Sequence, residues 1–145
     1  MKKSTIFILF HCVGIIVNAQ SVSEESIRLT DNWQFIKQEL GGVWEAVRTS
    51  KPGRPESVPI WTDVTLPHCY NATDAVNPYV NYYQGPGWYR TRLEINNPFE
   101  NGRTLLHFEG AGQKTEVFVG LEKAGSHVGG YDEWTVDITG YIDEA

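Results

Sequence analysis

Between Ile27 and Thr139 the apolar residues fall in short alternating runs, and glycine or proline interrupts them about every ten residues. No run sustains the repeat of an amphipathic helix. A chain written this way buries its apolar side chains by pairing strands, and the spacing points to an antiparallel β-sandwich. The clearest alternation is Trp88 to Ile95, where Tyr89, Thr91, Leu93 and Ile95 face one way and Arg90, Arg92 and Glu94 the other. Trp33, Phe35 and Lys37 alternate with Asn32, Gln34 and Ile36 after a turn signal at Asp31-Asn32. Trp61 to Leu66 reads as a strand stopped by Pro67. Thr104 to Glu109 follows a turn at Glu100-Asn101-Gly102, with Leu106 and Phe108 on one face. Val117 and Val119 share a face in Thr115 to Val119. Beyond Gly129-Gly130, Trp134, Val136 and Ile138 alternate with Thr135, Asp137 and Thr139. Glu39 to Pro59, with Gly41, Gly42, Pro52, Gly53, Pro55 and Pro59, reads as one long loop.

The first residues follow a different rule. Lys2 and Lys3 form a positive end, Ile6 to Val17 an apolar stretch interrupted by His11, and Val17-Asn18-Ala19 a cleavage signal. Residues 1–19 are expected to be a cleaved leader and residues 20–26 a tail, with the domain over 27–145. The apolar run is shorter than the ~18 residues a membrane span needs, so no stable span is expected and export to the periplasm or the medium is. His11 before Cys12 disfavours a lipidation site. Losing Lys2 and Lys3 with the leader takes the basic count from 12 to 10 against 18 acidic residues, a net charge of −8. That balance excludes the basic stripe nucleic acid requires and remains compatible with a neutral ligand such as a sugar. Cys69 would then be the sole cysteine, a buried small hydrophobe or an inert thiol, and the domain must hold by its core alone.

The total of 145 residues excludes a complete (β/α)₈ barrel, which needs about 250. His68, His107 and His127 show no metal-ligand spacing, so structural roles are expected, with no metal and no cofactor in this chain. Tyr70, Tyr79, Tyr82, Tyr83, Trp88 and Tyr89 gather around the loop-like stretch from Tyr70 to Gly87. Such rings, outside regular strands, suit stacking against a sugar or closing one end of a sandwich. Asn71-Ala72-Thr73 is a glycosylation sequon, given little weight beside a bacterial-looking leader.

Four pieces then come in a particular order: Trp61-Thr-Asp-Val64-Thr-Leu66-Pro67-His68-Cys-Tyr70-Asn71, Gly85-Pro-Gly87-Trp88-Tyr89-Arg90, Phe108-Glu109-Gly110, and Gly129-Gly130-Tyr131 leading to Val136-Asp137-Ile138-Thr139. From about Ile27 to the last residue the chain resembles the N-terminal sugar-binding domain of glycoside hydrolase family 2, the family of β-galactosidases, β-glucuronidases and β-mannosidases. The resemblance implies an all-β jelly-roll (galactose-binding-like) sandwich lacking its last strands. Trp61, Pro67, His68, Gly85, Gly87, Trp88, Tyr89, Arg90, Asp137 and Thr139 are expected to hold the fold. Where many members carry an Asn-Gly turn, this chain has Gly120-Leu121-Glu122-Lys123, so a hairpin with another turn type is expected.

The resemblance further implies a retaining β-glycosidase with a β-linked carbohydrate substrate, whose two catalytic glutamates lie in a barrel following an immunoglobulin-like domain. Neither downstream domain is in this chain, so no catalytic residue is assigned and the chain alone is expected to be silent. Glu109 and Glu116 are read as exposed, solvated carboxylates. In lactase-type members the loop before the Gly-x-Tyr strand sends a polar side chain towards the sugar, and Gln84 occupies that position here, with Tyr82 and Tyr83 beside it. The block Tyr-Tyr-Gln-Gly-Pro-Gly-Trp-Tyr-Arg looks most like β-galactosidases. The competing readings are a stand-alone carbohydrate-binding module and an adhesion module. With closing strands absent, the apolar face of Trp134, Val136 and Ile138 is expected to be partly exposed and the chain poorly soluble or self-associating.

Overall fold

The computed structural model describes residues 24–48 and 59–142. These form an all-β arrangement in which each strand pairing is antiparallel. A three-stranded sheet has β1 (Trp33–Lys37) between β2 (Thr62–Val64) and β3 (Gly87–Arg90). Strand β4 (Leu105–Phe108) pairs with β7 (Trp134–Asp137), and β5 (Lys114–Val119) with β6 (Glu122–Val128). Turn chemistry sets these elements locally. Asn32 and Asn101, both in turns marked by their residue types, have φ of 62° and 56°, the left-handed conformation asparagine tolerates. Gly120 has φ of 60° at the first position of the two-residue β5–β6 connection, and Leu121 stays out of that region. A hairpin of the II′ kind results, as the departure from Asn-Gly leads one to expect.

Strand β1 is covered on both faces, because Phe35 and Ile36 are buried in succession. Ile36 packs with Leu40 and Ala46, and Trp61 and Trp88 close over them. Each aliphatic side chain fully buried in such a cluster is worth about 1.5–3 kcal/mol. On the other face Phe35 sits among His68, Tyr70 and Tyr89, with ring centroids 4.9, 6.1 and 4.7 Å away. A Cβ on Gly87 would come within 3.1 Å of the Phe35 ring, so this glycine lets β3 approach β1 closely.

The sheets of the other half stack through one small residue. A Cβ on Gly125 in β6 would fall 2.8 Å from Val136 in β7, and Val136 is buried beneath it. An extra residue, Ala124, bulges β6 between the pairs Val117–Gly125 and Phe118–Lys123. Phe108, Trp134 and His127 form a three-ring stack with centroid spacings of 4.4 and 5.0 Å.

Several expectations are corrected by this arrangement. Strand β3 ends at Arg90, and Leu93 and Ile95 are exposed, because the β1 partner register runs out at Gln34–Arg90. The stretch expected to be loop throughout contains a short helix, α1 (Val43–Val47), because burial of Ala46 against Ile36 and Leu40 outweighs the neighbouring glycines. Strand β6, with Gly125 and four polar or charged residues, carries too weak an alternation to have been marked as a strand of its own. Val136 and Ile138 are buried, since the β5–β6 hairpin covers the face expected to be open. Cys69 is exposed, not a core residue. The leader assigned to residues 1–19 lies outside the described residues.

Candidate functional site

The loop from Tyr70 to Pro86 begins as a succession of tight turns, with Ala75 N–H donating to the Asn71 carbonyl (3.0 Å) and Asn77 N–H to that of Thr73 (3.1 Å). Residues three apart in such a coil share a face. Asn71 and Asp74 accordingly both turn inward and are buried, unusual for side chains of this kind. The Asp74 carboxylate accepts two hydrogen bonds from Lys37 Nζ, at 2.7 and 2.8 Å, and one from the Tyr83 N–H at 3.1 Å. Asn71 Nδ2 donates to the Tyr83 carbonyl at 2.9 Å. The backbone of Tyr83 is thus gripped on both sides, and Lys37 ties the grip to β1. The hydrogen bond from Lys37, with the Tyr83 N–H, holds the Asp74 carboxyl below its ordinary range against the opposing effect of burial.

Tyr83 folds back on the loop. Its hydroxyl donates to the Pro86 carbonyl at 3.0 Å, and its ring occupies the space a Cβ on Gly85 would need. Of the three residues singled out for a sugar, Tyr83 is therefore a post of the loop, half-buried and spoken for. Tyr82 and Gln84 flank it and are exposed, and Gln84 has no side-chain partner among the described residues. Two surface clefts, one around Leu40 and Ile60 and one between Thr30 and Leu93, are lined by other residues and reach none of these three. The sequon is engaged too: the Asn71 nitrogen that would carry a glycan is the one bonded to Tyr83.

The residues expected to hold the fold can be placed one by one. Pro67 follows a cis peptide bond. His68 Nδ1 lies 2.8 Å from the Tyr89 hydroxyl, so the imidazole pins strand β3 instead of the loop after it. Burial, with smaller contributions from Cys69 and Tyr70, pushes the Tyr89 phenol up to about 12. Arg90 lies 4.1 Å over the ring of Trp61, just before β2, donates to Gln34 Oε1 at 2.9 Å and to the Ala46 carbonyl at 2.7 Å, and so joins β3 to β1 and α1. Trp88 packs on the Ile36 cluster. Asp137 accepts from the Thr139 hydroxyl (2.6 Å) and N–H (3.0 Å) and from Arg103 Nε (2.9 Å), which hold its carboxyl down to about 2. Thr139 Oγ1 in turn accepts from the Thr104 N–H at 2.8 Å.

Glu109 and Glu116 are exposed, as expected from sequence, and each also pairs with a surface cation: Glu109 with Arg28, and Glu116 with Lys123 at 2.8 Å. His107 bonds Thr135 and lies 3.5 Å from Glu133, while His127 stacks on Trp134 beside Asp132. The residues missed from sequence are Asn71, Asp74 and Lys37. The signal that could have found the first two is their spacing of three within a turn-rich stretch.

The class defined by this geometry is an antiparallel β domain with one aromatic loop locked from beneath and polar side chains presented at its rim. The family model described as glycosyl hydrolases family 2, sugar binding domain, matches residues 19–145. The chain belongs to that family, as its sugar-binding domain. It is similar to the crystal structure of a β-glucuronidase from Parabacteroides merdae, 65% identical, with a TM-score of 0.74 over 79% of this chain and 15% of that one. The apo structure of Bacteroides uniformis β-glucuronidase 3 is 61% identical, with a TM-score of 0.75 over 81% of this chain and 15% of that one. A β-galactosidase from Thermoanaerobacter pseudethanolicus is 27% identical over 111 residues, 77% of this chain and 14% of that protein. The chain thus spans about a seventh of the length of each of these three relatives.

Proposed function

We propose that this domain serves a retaining β-glycosidase that acts on β-linked glucuronides, and that it supplies one wall of the sugar site through Gln84 and Tyr82. The observation that carries the substrate class is the 65% identity to the Parabacteroides merdae β-glucuronidase over 79% of the chain. Retaining hydrolysis needs two carboxyl groups about 5–5.5 Å apart, one acid/base and one nucleophile. The family resemblance implies that the acid/base pair lies in a barrel elsewhere in the enzyme, and Glu109 and Glu116 are each paired with a surface cation here. The domain's own contribution is positional. Gln84 can donate to one sugar hydroxyl and accept from another, and the exposed Tyr82 offers a flat apolar face to a ring. Export through residues 1–19 belongs to the same reading.

A second reading, a β-galactosidase, draws on the relative from Thermoanaerobacter pseudethanolicus and on the Tyr82 to Arg90 block. Aryl β-D-glucuronide and aryl β-D-galactoside, offered in parallel to the full-length enzyme, separate the two. Higher kcat/KM for the glucuronide is expected; preference for the galactoside reverses the order. Gln84→Ala in that enzyme should raise KM with little change in kcat, the mark of a lost contact made equally in ground and transition states. An unchanged KM removes Gln84 from the site.

A further inference from the structure

The rim residues Tyr82 and Gln84 sit on either side of a peptide unit that is held far more firmly than a surface loop requires. Three buried or half-buried polar groups converge on Tyr83: Asp74 on its N–H, Asn71 on its carbonyl, and Lys37 beneath both. Asn71 and Asp74 are the buried polar residues of the described chain, at 5% and 8% exposure. Burying a carboxylate costs free energy unless its partners are complete. Here the carboxylate has three donors, and its countercharge comes from a strand, not from another loop. Lys37 Nζ also lies 3.4 Å from the Tyr70 carbonyl and 5.7 Å from the centre of the Tyr83 ring, so one ammonium ties both ends of the loop to β1. A site whose contacting side chains stand on a loop gains precision when the supporting groups are locked in this way.

We propose that Asn71 and Asp74 are positioning residues for sugar recognition, fixing the Tyr83 peptide so that Gln84 and Tyr82 project at a set angle into the site. The inference rests on the role given to Gln84 under the proposed function. It adds that the specificity of the rim is determined from below, by residues that never touch the sugar. Lys37 transmits the rigidity of the sheet to the loop.

The test uses the full-length enzyme with an aryl β-glucuronide and an aryl β-galactoside, together with hydrogen exchange at the Tyr83 amide. Asp74→Ala is expected to raise KM about three- to tenfold, the range of one lost hydrogen bond, and to leave kcat nearly unchanged. Because Asp74 acts through Gln84, the Asp74→Ala/Gln84→Ala double variant should be no worse than the poorer single variant. Asp74→Asn keeps an acceptor for the Tyr83 N–H and should restore KM towards that of the parent. The Tyr83 amide should exchange faster in Asp74→Ala than in the parent and return in Asp74→Asn. A fully multiplicative double variant, an unaltered Tyr83 exchange rate, or no rescue by Asn overturns the positioning role. If Asp74→Ala leaves KM unmoved while Gln84→Ala raises it, positioning fails and the wall assignment stands. If Gln84→Ala has no effect on KM while the exchange change is present, the clamp exists but the sugar reading, and with it the positioning role, is lost.

Discussion

The two halves of the domain are held by different means. Around β1 and β3 the packing is aromatic and the polar groups are buried: Phe35 touches three rings, Arg90 joins β3 to β1 and α1, and Asp74 and Asn71 grip a loop from within. Around β4 to β7 the cohesion comes from two antiparallel pairs stacked through Gly125 on Val136 and from the Phe108–Trp134–His127 ring stack, while the ion pairs Arg28–Glu109, Arg103–Asp137 and Lys123–Glu116 lie at the surface. Surface pairs contribute little, typically under about 1 kcal/mol, whereas an incomplete buried network is expensive. The loop carrying the candidate site therefore sits on the half where orientation is most tightly specified.

The contrast breaks first at Phe35. Phe35→Ala removes the ring around which His68, Tyr70 and Tyr89 are arranged and is expected to cost about 3–5 kcal/mol, the usual range for truncating a core aromatic. Urea denaturation should show a lowered midpoint with the slope retained. The same variant should loosen the loop after Tyr70, whose first ring it undercuts. A loss below about 1 kcal/mol would mean that the aromatic half is not the more tightly packed one.

Gly125→Val attacks the other half by crowding. Its Cβ would meet the Val136 side chain at 2.8 Å, and both neighbours are confined between sheets. Overpacking of this kind costs about 1–3 kcal/mol. The Val136→Ala background should relieve part of the cost, because the crowded methyl groups are then gone. Additive losses in the double variant would show that the two residues do not meet across the sheets.

What could be read from the sequence follows the same division. Strand existence, the turns at Asn32 and Asn101, the Gly120 hairpin and the all-β class were legible because they depend on alternation and on local turn chemistry. Strand β6 and helix α1 were not, since each exists by virtue of what covers it: Val136 over Gly125, and Ile36 with Leu40 over Ala46. The Trp88 to Ile95 alternation continued past the point where β1 stops offering partners, and alternation alone cannot report that end. At the rim, Gln84 is proposed from its family position and Tyr82 as its neighbour. The clamp beneath them was not legible, because Lys37 and Asp74 stand thirty-seven positions apart and meet only in three dimensions.

Titration offers the finest comparison, through one group in each half that titrates at the opposite end of the pH scale from the other. Tyr89, on the aromatic side, has its phenol raised from an ordinary value of 10.0 to about 12, mainly by burial, and Tyr83, in the same half, is raised as well. A raised value means that the stabilising contribution is complete below pH 10 and disappears as the pH climbs towards 12. Asp137, on the other side, is lowered from 3.8 to about 2 by Thr139 and Arg103, so its contribution is present above pH 4 and is lost as the pH falls towards 2. Tyr89→Phe keeps the ring and cannot ionise, so its Tm should decline less steeply than that of the parent between pH 10 and 12. Asp137→Asn should melt below the parent at neutral pH, and the gap should close as the pH drops from 4 to 2. Asp74 is also lowered and adds to the acid limb, so the Asp137→Asn comparison must show convergence without abolishing the acid transition itself. Parallel Tm curves across both limbs would assign neither group a part in holding its half together.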